Sequence, residues 1–87
     1  MAGKKLSDLP NIGRAVEEQL IAAGIETEEQ LRALGSRQAW LKLKTMDPSA
    51  CYNRLCALEG AIRGIRWHDL PEQDKRELKE FYLSFKG

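Results

Sequence analysis

Pro10, Gly13 and Gly24 confine the N-terminal part of this chain more tightly than any other residues do. Pro10 fixes its own φ and carries no backbone donor. It also pushes Leu9 out of the helical region, so no helix runs through this point. Gly13 takes a positive φ at little cost, which would let the backbone fold closely beneath Ile12. From Gly13 to Ala23 the apolar residues Val16, Leu20 and Ala23 return at helical spacing, with Ile21 beside them. Arg14, Glu17, Glu18 and Gln19 fill the other sides. Gly24 stands where a left-handed residue ends a helix, and Ile25 then folds back as its apolar contact. Residues 9–25 therefore read as a turn, an amphipathic helix and a stop. The first N–H groups of that helix have no partner within it. With the positive end of the helix dipole they form a mouth suited to an anion.

The rest of the chain is punctuated in the same way. Thr27, Glu28, Glu29 and Gln30 spell a capping box with acidic residues in the first turn, and Leu31 and Leu34 face inward. Gly35 stops this second helix. Ser36 is expected to cap a third, from Arg37 to about Met46, whose buried stripe is Ala39, Trp40, Leu43 and Met46. Asp47, Pro48 and Ser49 break the chain again. A fourth helix follows from about Ser49 to Arg63, with one apolar stripe (Cys51, Leu55, Leu58, Ile62) and one of small residues (Ala57, Gly60, Ala61, Gly64). A glycine inside a helix costs about 1 kcal/mol against alanine, so Gly60 implies close packing that needs the missing side chain. Glu59 reads either as a partly buried carboxylate bonded to Arg63 or to a helix N-terminus, or as an exposed i,i+4 partner of Arg63, the second being favoured. Trp67 and Leu70 pin the last connection, and Pro71 opens a fifth helix with Glu72 and Asp74 in its first turn. Leu78, Phe81, Tyr82 and Phe85 give it a core stripe at i, i+3, i+4 and i+7. No alternating run or Asn-Gly turn signals a strand. The predicted fold is all-α, a compact bundle of about five short helices, in one domain over residues 1–87 with residues 1–5 as a loose leader.

Composition narrows the function. At 43% hydrophobic and 31% charged, the 87 residues are those of a folded domain with little room for a catalytic cleft beside its core. The net charge of +1 is far from that of a self-sufficient DNA binder, so any nucleic-acid contact should be weak and salt-sensitive. No apolar run reaches the length of a membrane span and no signal-peptide core opens the chain; a soluble, cytoplasmic protein without membrane partners is expected. Cys51 and Cys56 fall on different faces of a helix and match no zinc or redox spacing. The lone His68 has no ligand cluster around it and reads as a surface or capping residue. Neither metal nor cofactor is expected. An acid–base pairing of Glu59 with His68 or Tyr52 is conceivable, but nothing in the spacing demands it, and the chain is read as a non-enzyme.

Leu9, Pro10, Ile12 and Gly13, followed by Ala23, Gly24 and Ile25, resemble the turn of the helix-hairpin-helix family, whose backbone amides grip a nucleic-acid phosphate without reading sequence. Asn11 stands where that hairpin usually has a second glycine, and Ala15 where a phosphate-contacting lysine is common. A more specific resemblance spans about Leu6 to Phe85. Residues Leu9–Gly13, Ala23–Ile25, Glu29–Arg32 before Leu34 and Gly35, Cys51, Leu55–Ile62 and Trp67 are similar to the C-terminal domain of the TfoX/Sxy competence-regulator family. That resemblance implies a small all-helical domain, found alone or behind an N-terminal TfoX domain, in bacterial proteins that activate DNA-uptake genes together with a cyclic-AMP-responsive activator. The N-terminal domain has no counterpart in these 87 residues.

Two functional readings follow. In the first, a regulatory module holds nucleic acid weakly and without sequence selection, through the backbone donors of Asn11, Ile12 and Gly13, with Arg14, Lys4 and Lys5 adding attraction. In the second, the hairpin is structural and the domain is an adaptor for another protein, such as a transcription regulator. The Glu17–Glu18 pair and the near-neutral charge favour this second reading.

Overall fold

Each glycine or proline break separates two helices. The computed structural model describes residues 6–86, with side-chain environments to residue 84. Its helices are α1 (Arg14–Ala22), α2 (Glu28–Leu34), α3 (Ser36–Met46), α4 (Tyr52–Arg63) and α5 (Glu72–Lys86). Single 3-10 turns at Leu6–Asp8 and Trp67–Asp69 precede α1 and α5. The described residues contain no strand. The leader, with Lys4 and Lys5, lies outside them, as does the side chain of Phe85.

Helix α4 is central, contacting α2, α3, α5 and the second 3-10 turn. Its inward face presents Leu55, Cys56, Leu58, Gly60 and Ala61, all buried. Leu20 of α1, Leu31 of α2, Leu43 of α3 and Leu78 of α5 close around it. Burial of each such side chain contributes roughly 1.5–3 kcal/mol. Trp40 is fully enclosed, its ring meeting the edges of Phe81 and Tyr82 at 6.0 and 5.7 Å. Its indole Nε1–H donates to the Cys51 carbonyl at 3.1 Å. The expected core role of Trp40 holds. Met46 departs from expectation and is 44% exposed. It is the last residue of α3, and Ala50, in the turn that follows, takes the buried place instead. Cys51 also departs: α4 begins later than expected, so Cys51 becomes its exposed N-cap residue. Cys56 is the buried cysteine, and burial pushes its thiol pKa up.

Apart from the start of α4, the helix ends follow the sequence with one exception. At the end of α1, Gly24 has φ +91°, the Ile25 amide donates to the Leu20 carbonyl and the Gly24 amide to Ile21. This is the Schellman arrangement, and Ile25 is buried as its apolar contact. Thr27 caps α2 by accepting from the Gln30 amide, while the Gln30 side chain reaches back to the amide of Glu26. The exception is Ser36. It is the first helical residue of α3, and its hydroxyl donates to Glu59 Oε1 at 2.6 Å instead of capping. Glu59 in turn accepts from Arg63 Nε at 2.7 Å, and Arg63 also reaches Asp74. The Glu59–Arg63 pair is present, and it is drawn inward by a buried serine that offers a stronger partner than solvent does.

A second polar cluster fastens the turn after α3. Asp47 accepts from the Ser49 amide and hydroxyl, from Gln19 Nε2 and from Arg54 Nη1. These donors, the Ser49 hydroxyl first, hold its carboxyl well below the usual carboxylate range. A depressed folded-state pKa gives stability that is complete above the unfolded-chain value of 3.8 and is lost as pH falls through the folded one. Urea midpoints should therefore fall on going from neutrality to about pH 3. Asp47→Asn should lower the neutral midpoint and flatten that fall; an unaltered pH slope in the variant would exclude Asp47 as a contributor.

Candidate nucleic-acid interface

The turn before α1 is built by Asn11. Its φ is +70°, a left-handed conformation that asparagine tolerates better than most residues. Gly13, expected to supply the positive φ, instead has φ −92° and ψ −179°, extended backbone open to any residue. The bend lies two residues earlier than glycine placement indicates, because the Asn11 side chain fixes it from elsewhere in the fold. Asn11 Nδ2 donates to the carbonyls of Ile65 (3.0 Å) and Ala57 (3.3 Å), and its Oδ1 accepts from the Trp67 amide at 3.2 Å. One side chain thus bolts the α1 turn to the end of α4 and to the strand of chain beyond it.

Gly60 makes room for this bolt. A Cβ built there would lie 2.5 Å from Asn11 Nδ2, 2.7 Å from the Ile65 carbonyl and 3.1 Å from the Trp67 nitrogen. The close packing that Gly60 implies is real, but what approaches is a turn side chain and a returning loop, not a helix.

The four predicted residues that the structure describes are adjacent but not equivalent. Asn11 turns its side chain inward. Ile12 is buried, and its amide donates to the Leu9 carbonyl at 3.3 Å, so that donor is occupied. Gly13 and Arg14 are exposed, as is Ala15, and no side chain caps the first turn of α1. Among the described residues, the Arg14 guanidinium has no hydrogen-bond or ion-pair partner. The Glu17 carboxylate accepts from the Ser7 amide, which anchors it toward the first 3-10 turn.

Two residues not expected at this site lie beside the turn. Arg66 and His68 line a surface depression of about 340 Å³ with Pro10 and Asn11. Arg66 sits between Ile65 and Trp67, whose backbone groups Asn11 holds, and its guanidinium has no partner among the described residues. The exposed His68 ring stacks on Trp67, with centroids 4.0 Å apart and planes 30° apart. The signal was the run Arg66-Trp67-His68, a cation and two rings in succession.

Other pairings considered from sequence do not converge here. Glu59 is engaged by Ser36 and Arg63 and does not line this depression. Tyr52 donates to the Lys75 carbonyl, and burial, then its hydrogen bond with Cys56, pushes its phenol up to about 12. It stays protonated across the physiological range. No cluster of three or more potential metal ligands occurs among the described residues, and no described helix is long and apolar enough to cross a membrane.

The five helices, joined by short turns and packed around α4, define a small all-helical domain. The chain belongs to the TfoX C-terminal domain family, whose model matches residues 2–82. It is 37% identical over 78 residues to protein Sxy of Escherichia coli K12, covering 90% of this chain and 37% of Sxy. The chain thus spans little more than a third of that curated relative. It is also similar to two crystal structures of proteins of unassigned function from Listeria monocytogenes. One, in a triclinic form, is 50% identical with a TM-score of 0.95, covering 97% of this chain and 96% of the other. The second, in a tetragonal form, is 51% identical with a TM-score of 0.89, covering 92% and 98%.

Proposed function

We propose that this domain is a regulatory binding module of the competence-regulator type, and that it touches nucleic-acid phosphate through the open mouth of α1. The observation that carries this reading is the exposed first turn at Gly13, Arg14 and Ala15, which no side chain caps, beside an Arg14 guanidinium that has no partner among the described residues. Backbone donors at a helix N-terminus suit a phosphate, and such contacts position a protein without selecting sequence. Lys4 and Lys5 would add attraction from the leader. The small number of cations keeps the affinity low, so a partner or a second copy supplies the rest.

The test is binding of labelled duplex DNA at low salt by fluorescence anisotropy. Arg14→Glu should weaken it several-fold and reduce the slope of log K against log salt by about 1 or more. Gly13→Val should weaken it without lowering the melting temperature appreciably, since a Cβ at Gly13 meets nothing within 4 Å and the backbone there is extended. Absence of duplex and single-strand binding by the parent protein would remove direct nucleic-acid contact. The adaptor reading would then stand, favoured by the net charge of +1 and by the exposed Ile21 and Met46.

A further inference from the structure

We infer that the Arg66–His68 segment is a single-strand binding platform, on which His68 stacks an unpaired base while Arg66 holds the adjoining phosphate. This deepens the nucleic-acid reading above and rests on it. Single-strand binders join cationic grooves to aromatic faces, because every base has a π-face and stacking tolerates any sequence. Trp40, the other tryptophan, is sealed in the core and offers no such face.

The segment has the required parts. One face of the exposed His68 ring lies against the half-buried Trp67, which stiffens the imidazole from behind. Lys75 Nζ donates to the His68 carbonyl at 3.1 Å, fixing the backbone of the turn and bringing a further positive charge to it. Among the described residues, the depression that Arg66 and His68 line with Pro10 and Asn11 has no carboxylate in its wall; Asp69, next to His68, and Asp8, two residues before Pro10, are both exposed. Asn11 holds the backbone on both sides of Arg66, so this platform and the α1 turn are fixed relative to each other. A strand crossing the depression would find a cation and a ring in place. A duplex, whose bases are stacked internally, would find only the cation.

The experiment uses fluorescein-labelled oligodeoxythymidylate and oligouridylate of about 12 nucleotides, with a duplex of equal length, at low salt. His68→Ala should weaken binding to the single strands about tenfold and to the duplex less than twofold. His68→Phe should retain single-strand binding, since a ring remains. Arg66→Gln should weaken binding to the single strands and lower their salt slope by about 0.7. Thermal melts identical to the parent's would show that the fold is intact. Binding to either strand chemistry with this pattern supports the platform. Equal losses on duplex and single strand in His68→Ala, or no loss at all, would overturn it. So would a parent protein that binds duplex alone, and that outcome would leave the Arg14 reading standing. A parent that binds neither form overturns both.

Discussion

Trp40→Ala should remove most of the stability of this domain. Truncating a buried tryptophan typically costs 3–5 kcal/mol, through lost transfer free energy and the cavity left behind. Here Trp40 is completely enclosed and meets Phe81 and Tyr82 edge-on, while its indole nitrogen ties α3 to the start of α4 through the Cys51 carbonyl. A small domain has a total stability of about 5–15 kcal/mol, toward the lower end for a chain of this size. Urea denaturation followed by circular dichroism should show a midpoint lowered by more than half, and the thermal midpoint should drop by roughly 20 °C. A loss under about 1 kcal/mol would mean that α5 does not close over the ring as described. Trp40→Phe should fall between, keeping an aromatic face and losing the indole donor.

The second large effect is Gly60→Ala, where two physical effects oppose each other. Helix propensity alone favours alanine by about 1 kcal/mol. Packing opposes it: the new methyl would overlap Asn11 Nδ2 and the Ile65 carbonyl. The Ile65 carbonyl is backbone, and the Ile65 amide is itself bonded to the Gly60 carbonyl at 2.9 Å, so neither side yields cheaply. Overpacking of this kind costs roughly 1–3 kcal/mol, and breaking the Asn11 bonds adds about 1 kcal/mol for each group left unpaired. We expect a net destabilisation of about 2–3 kcal/mol, the reverse of what propensity gives. In an Asn11→Gly background, which keeps the positive φ and removes the side chain, the cost of Gly60→Ala should shrink but not vanish. Additive losses in that double-mutant cycle would separate the two residues. A stabilised Gly60→Ala single variant would contradict the packing described here.

The contrast between glycines 13 and 60 shows where the sequence is readable. The amphipathic stripes of α1 and α5 and the stops at Gly24 and Gly35 depend on residues a few positions apart, and local pattern carries them. The family is also legible, because its motifs are spread along the whole chain. Gly13 reads as the flexible point of the turn, yet Asn11 has the left-handed φ, because its side chain finds three backbone partners near the far end of α4. Ser36 reads as a cap, yet Glu59, 23 residues on, takes its hydroxyl. In both cases a distant partner outcompetes a local preference, and no window along the chain contains both partners. The run Arg66-Trp67-His68 is visible in the sequence, but only the fold brings Arg66 and His68 beside Pro10 and Asn11. The triplet Asp-Leu-Pro occurs at residues 8–10 and again at 69–71. It marks two like corners, where the Leu9 amide donates to Leu6 and the Leu70 amide to Trp67, with Leu9 and Leu70 both buried.

The Asn11 bonds span 46, 54 and 56 residues. The two banks of the depression are therefore assembled from opposite ends of the chain, and closing so long a loop has an entropic cost that the intervening core must offset. A peptide cut from either end would carry half of the surface without its counterpart. A ligand of that surface would select the folded domain, and its binding would be sensitive to anything that loosens the helices between.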